Sequence, residues 1–99
     1  MIIEPGYISP GMKPGGRHDG PAVYEELRRQ WSGTDDKVTG GTRTSPEEAA
    51  RVIADAVEDP TTPLRVTIGQ DADLILSTRA QLDDATFEAT MRETLNLTW

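Results

Sequence analysis

Cysteine is absent from this chain of 99 residues. That excludes disulfides, thiol nucleophiles and zinc–thiolate sites together. Histidine occurs once, at His18, and one imidazole builds neither a nucleophile triad nor a metal cluster. No apolar run approaches the roughly 20 residues needed to cross a bilayer, and no charged-then-apolar leader opens the chain. Apolar side chains are few as well: 19 of the 99 residues are Leu, Ile, Val or Phe, beside a net charge of −7. At that balance burial barely offsets chain entropy. Such a chain either stays partly disordered or turns its apolar faces to something else. Basic residues are outnumbered, 10 against 17 acidic, with a sequence pI near 4.5. A field of that sign repels phosphate backbones, so nucleic acid is excluded as an expected partner. The expectation is a soluble, cytoplasmic chain with no membrane partner.

What is present reads in order. Ile2-Ile3-Glu4 closes a short apolar strand over residues 1–4, and Pro5-Gly6-Tyr7 breaks it. Residues 5–20 carry Gly6, Pro10, Gly11, Pro14, Gly15, Gly16 and Gly20, a density that prevents regular structure and fits a binding loop or lid. Pro21 then suits the first turn of a helix reaching Trp31, with Val23, Leu27 and Trp31 at a spacing of four. Residues 32–44 read as a polar, glycine-bearing loop. Ser45-Pro46-Glu47-Glu48 is a capping box opening a helix to Glu58. Its stripe is Ala49, Val52, Ile53, Ala56 and Val57, and Pro60 ends it. Residues 64–68 alternate as a strand up to Gly69. Asp71-Ala72-Asp73 is read as the cap of one helix and Asp83-Asp84 as the cap of another, with Phe87, Met91 and Leu95 on one face.

The strand over residues 1–4, the helix over 46–58 and the strand over 64–68 form one crossover unit, whose strands should run parallel. A two-stranded parallel sheet is rarely sufficient alone. In open parallel sheets ligands bind beyond the carboxyl ends of the strands, where Pro5-Gly6 leaves the first one. The carboxylate pairs Asp35-Asp36, Asp71 with Asp73, and Asp83-Asp84 lack the spacing and central glycine of a calcium loop. Helix capping is the simpler reading of Asp71 and of Asp83-Asp84.

Taken together, Ile2-Ile3-Glu4-Pro5-Gly6-Tyr7, then Ser45-Pro46-Glu47-Glu48, then Pro63-Leu64-Arg65-Val66-Thr67-Ile68-Gly69-Gln70-Asp71-Ala72, with Met91-Arg92 and Trp99 at the end, resemble the short-chain dehydrogenase/reductase family. The resemblance runs in order over nearly the whole chain and covers only that family's C-terminal portion. It implies an α/β fold: the C-terminal part of a Rossmann-like doubly wound sheet, with two parallel strands, a crossover helix, a lid helix and C-terminal helices. Residues 1–99 are then one incomplete domain, with the Pro-Gly loop and substrate lid over 5–44 and C-terminal helices over 71–99. It also implies that Pro5, Gly6, Tyr7, Ile8 and Ser9 lie beside the nicotinamide of NAD or NADP. The family's threonine contact falls near Pro10, with Ser9 one residue early. Residues 12–31 match the substrate lid, where Lys13, Arg17 and His18 would face a polar or anionic substrate. The parent activity is alcohol/carbonyl interconversion of a small molecule, and residues 46–68 match a surface through which related homo-oligomers associate.

The family's chemistry needs more than this. No strand is followed by a glycine-rich turn opening a helix, the element that holds the cofactor pyrophosphate. Residues 11–16 are glycine-rich without GxGxxG spacing. Four residues after Tyr7 stands Gly11, and four after Tyr24 stands Arg28, so neither tyrosine has the lysine used for proton transfer. The isolated chain is therefore expected to bind no cofactor and to have no catalytic residue or metal of its own. An alternative stays open: a self-contained small acidic protein-interaction module without enzymatic activity.

Overall fold

The computed structural model describes residues 1–10 and 20–99; Lys13, Arg17 and His18 lie outside the described residues. The elements are β1 (Ile2–Pro5), a 3-10 turn (Ala22–Tyr24), α1 (Glu25–Trp31), α2 (Thr34–Thr39), α3 (Pro46–Glu58), β2 (Arg65–Ile68), α4 (Gln70–Gln81) and α5 (Asp84–Leu95). Helices thus combine with a two-stranded parallel sheet, as an α/β reading requires.

In the sheet, Ile2 stands opposite Arg65, Ile3 opposite Val66, Glu4 opposite Thr67 and Pro5 opposite Ile68. The amide of Ile2 donates to the Leu64 carbonyl at 2.7 Å, and that of Gly6 to the Ile68 carbonyl at 2.8 Å. Side chains alternate across a strand, so this register sorts the faces. Ile3, Pro5, Val66 and Ile68 share an apolar face, and Ile68 is only 2 % exposed. The other face carries an ion pair between Glu4 and Arg65 and a hydrogen bond from the Thr67 hydroxyl to Asp73. Parallel strands covered on both sides are usually apolar throughout. Here one face is polar, with charge on β2, the pattern that blunts a sheet edge.

α3 forms where its cap signals place it. The Ser45 hydroxyl accepts the Glu48 amide at 3.1 Å, Pro46 occupies the first turn, and the helix stops at Glu58. Only half of the capping box is made: among the described residues no return bond joins the Ser45 amide to the Glu48 side chain. The apolar stripe is also only half covered. Ala49 is buried and Val52 and Ala56 are half-buried, whereas Ile53 and Val57 stay exposed, Val57 at 68 %. α5 keeps its expected start, since the Asp83 carboxylate accepts the Thr86 amide at 2.8 Å. Phe87, Met91 and Leu95 do share its inward face.

Three expectations need correction. Residues 32–44 are not wholly loop, because α2 occupies Thr34–Thr39 between Gly33 and Gly40, both left-handed at φ 79° and 63°. Thr34 is buried, with its hydroxyl on the Trp31 carbonyl at 2.9 Å, and the Lys37 ammonium ties α2 to the Leu95 carbonyl at 3.0 Å. The segment after Pro21 begins as a 3-10 turn, which leaves Val23 exposed and confines the cover of the Val23–Leu27–Trp31 stripe to Leu27. Asp71 is not the cap of α4. That helix starts at Gln70 behind Gly69 with no side-chain cap bond.

The buried apolar residues among those described are Ala49, Ile68, Ala72 and Leu95. The accessible surface is 7464 Å², against about 5,500 Å² for a compact monomer of this mass. The radius of gyration is 16.0 Å, against about 13 Å for a compact domain of 100 residues. The thin apolar content therefore appears in the structure as uncovered surface.

Candidate functional site

The Pro-Gly loop leaves β1 at its carboxyl end and opens directly onto a cleft of 340 Å³. Pro5, Gly6 and Tyr7 form one wall, and Asp71, Ala72, Ile75 and Leu76 from the first turns of α4 form the other, with Glu4 at the side. The volume falls at the small end of ligand pockets. Of the five residues expected beside a nicotinamide, these three line the cleft. Ile8 and Ser9 do not. Ile8 instead pairs with Thr44 in an isolated parallel bridge. The Thr44 amide donates to the Tyr7 carbonyl at 3.1 Å and the Ser9 amide to the Thr44 carbonyl at 2.9 Å. The chain thus departs at Ser9 and returns at Thr44 through one backbone node.

Asp71 is the residue that sequence reasoning misplaced. Its carboxylate accepts the Tyr7 amide at 2.7 Å across 64 residues of chain. The amide is half-buried, and a hydrogen bond to a charged acceptor contributes about 1.5–3 kcal/mol. The first turn of α4, where Asp71 sits, also favours negative charge through its free amides. Asp71 is 7 % exposed, and two glycines make room for it. A side chain at Gly6 would overlap its carboxylate. One at Gly69 would lie 2.6 Å from Asp71 Oδ1 and 2.8 Å from Thr44 Oγ1, at a φ of 99° that already favours glycine. The glycine at position 69 and an acid two residues later are visible in the sequence. Their long-range partner is not.

A second, polar recess of 150 Å³ adjoins the first, with Arg43, Thr44, Glu48, Gly69 and Asp71 on its walls. The Arg43 guanidinium lies 5.1 Å from the Tyr7 ring centroid while pairing with Asp35 of α2. Tyr7 is therefore held on its amide by Asp71 and on its ring by Arg43. Farther away, Leu27, Trp31, Phe87, Met91 and Trp99 line an apolar groove of 410 Å³ between α1 and α5.

The cleft suits a flat, partly apolar group. Pro5, Ala72, Ile75 and Leu76 offer apolar surface, and the only carboxyl groups on the lining, Glu4 and Asp71, are engaged by Arg65 and by the Tyr7 amide. Nothing in this lining suits a pyrophosphate. Three carboxyl groups away from the cleft are held in their charged form by hydrogen bonds. The Thr86 amide holds the Asp83 carboxyl below its usual range, the Thr61 hydroxyl does the same for Asp59, and Arg29 for Glu26. Among the described residues no group of three His, Cys, Asp or Glu side chains could hold a metal ion, and no helix is long and apolar enough to cross a membrane. No family model, curated protein or solved structure matches this chain.

Proposed function

We propose that this chain is the C-terminal, nicotinamide-side segment of an NAD(P)-dependent short-chain oxidoreductase, acting on a small alcohol or carbonyl and not competent alone. The observation that carries the reading is the cleft at the carboxyl end of β1, walled by Pro5, Gly6 and Tyr7. Parallel pairing of β1 with β2, with α3 between them in sequence, supports placing the unit at the end of a Rossmann-like sheet. Among the described residues the far edge of β1 has no strand partner, which supports the same placement. When bound, the nicotinamide would supply or accept the hydride. In that arrangement Pro5 and Gly6 wall the ring, Tyr7 closes the cleft, and Ile75 and Leu76 exclude water. Residues 20–44 would belong to the substrate lid. Ile53, Val57 and Leu64, exposed on or just beyond α3, would form the homo-oligomer contact within residues 46–68.

Calorimetry and the reading frame test this together. The chain of residues 1–99 is expected to show no saturable binding of NADH or NADPH at micromolar concentration. An in-frame extension upstream of Met1 that encodes a tyrosine-x-x-x-lysine segment would decide for the fragment, and a chain extended far enough to include the glycine-rich turn should bind. Saturable binding by the 99 residues alone would sink the claim that the cofactor site is incomplete. A stop codon close upstream with an independent start signal would favour the self-contained acidic module.

A further inference from the structure

We propose that Asp71 is the positioning residue of the Pro-Gly loop: its buried carboxylate fixes the Tyr7 amide and, through Tyr7, the node where the chain departs and returns. The sheet ladder ends where the Gly6 amide meets the Ile68 carbonyl. Tyr7 lies beyond the end of β1, and no backbone carbonyl among the described residues accepts its amide. Even a half-buried amide loses stability without an acceptor, and Asp71 supplies one at 2.7 Å from the first turn of α4. The Tyr7 carbonyl then takes the Thr44 amide, and the Thr44 carbonyl takes the Ser9 amide. Two hydrogen bonds in series run from α4 through Tyr7 to Thr44, the residue before the cap of α3, and a third returns from Thr44 to Ser9. Gly6 and Gly69 are small because this carboxylate passes between them. An ordinary helix cap would bond its own helix and need no such space.

The consequence for a nicotinamide rests on the proposed function, since Asp71 acts on the wall of that cleft through Tyr7. The strut itself is read without any nucleotide. Amide hydrogen exchange, followed by NMR on the full chain, compares the unaltered protein with Asp71→Ala, Asp71→Asn and Gly6→Ala. In Asp71→Ala, protection of the Tyr7 amide should fall by about tenfold or more, with Ser9 following. The Ile2 amide, bonded to Leu64, should stay within about threefold. Asp71→Asn keeps an acceptor oxygen and should recover most of the Tyr7 protection. Gly6→Ala leaves the carboxylate present but displaced, and should reproduce the Asp71→Ala pattern. Unchanged Tyr7 protection in Asp71→Ala would overturn the proposal, as would equal loss at Tyr7 and Ile2. If Asp71→Ala does not fold, Gly6→Ala and Asp71→Asn decide by the same criteria. With no nucleotide in the sample, failure here leaves the oxidoreductase reading standing, and failure of the calorimetry leaves the strut standing.

Discussion

Replacing Ile68 by alanine should be among the most damaging single changes in the chain. Ile68 ends β2, pairs with Pro5, and is the one large side chain that is fully buried among the described residues. The substitution removes about three methylene equivalents at ~0.8 kcal/mol each. The unfilled cavity brings the expected loss to about 3–4 kcal/mol. With a urea dependence of about 1–3 kcal/mol per molar for small proteins, the unfolding midpoint should fall by roughly 2 M at unchanged slope. Val57→Ala is the control. Val57 is 68 % exposed, so only about a third of its two lost carbons counts, roughly 0.5 kcal/mol. Urea unfolding followed by circular dichroism at micromolar concentration reads both. Equal losses at the two positions in a dilute monomer would refute the argument, because Val57 would then be as covered as Ile68. If residues 46–68 associate, the cost of Val57→Ala should instead grow with protein concentration while that of Ile68→Ala stays constant.

Two further outcomes follow from the helix caps. Ser45→Ala should destabilise by about 1 kcal/mol in thermal or urea unfolding, and Ser45→Asp should be nearly neutral, since both native and replacement oxygens can accept the Glu48 amide. The Asp83 carboxyl titrates lower in the folded chain than its ordinary 3.8 because the Thr86 amide bonds its charged form. Its stabilisation is therefore complete above that value and is lost as pH falls through the lower, folded value. Exchange protection of the Thr86 amide should fall in that acid window for the native residue and stay flat for Asp83→Asn.

Legibility followed the range of the interaction. α3 and α5 were readable because Ser45 and Asp83 act within three residues of themselves, and the alternation before Gly69 marked β2. The parallel pairing was readable because a helix stands between the two strands. α2 was not readable: six residues between two left-handed glycines carry the composition of a loop, and the helix is held by Lys37 reaching the Leu95 carbonyl far down the chain. Asp71 was misread for the same reason. An acid at the mouth of an apolar helical run has the local signature of a cap, and only the folded chain brings Tyr7 to it. Of the site, Gly6 and Tyr7 were legible as a loop beyond a strand, whereas Pro5, read as the break, is the last paired residue of β1. Their opposite wall, Asp71 to Leu76, and the hold of Arg43 on Tyr7 depend on distances that spacing does not encode.

Pro5 has a consequence beyond starting the loop. The amides of Ile2 and Gly6 point toward β2, so by alternation the amides of odd-numbered residues face the other edge of β1. Along Ile2–Pro5 those positions are Ile3 and Pro5, and proline has no amide hydrogen to give. Among the described residues this edge is open, and along β1 it presents a single donor, at Ile3. A strand arriving from another molecule could form only a truncated ladder there, ending at Pro5. The residue that turns the chain toward the cleft also limits how far this edge can recruit other chains into aggregates, while leaving one fixed point at which a neighbouring strand can set its register.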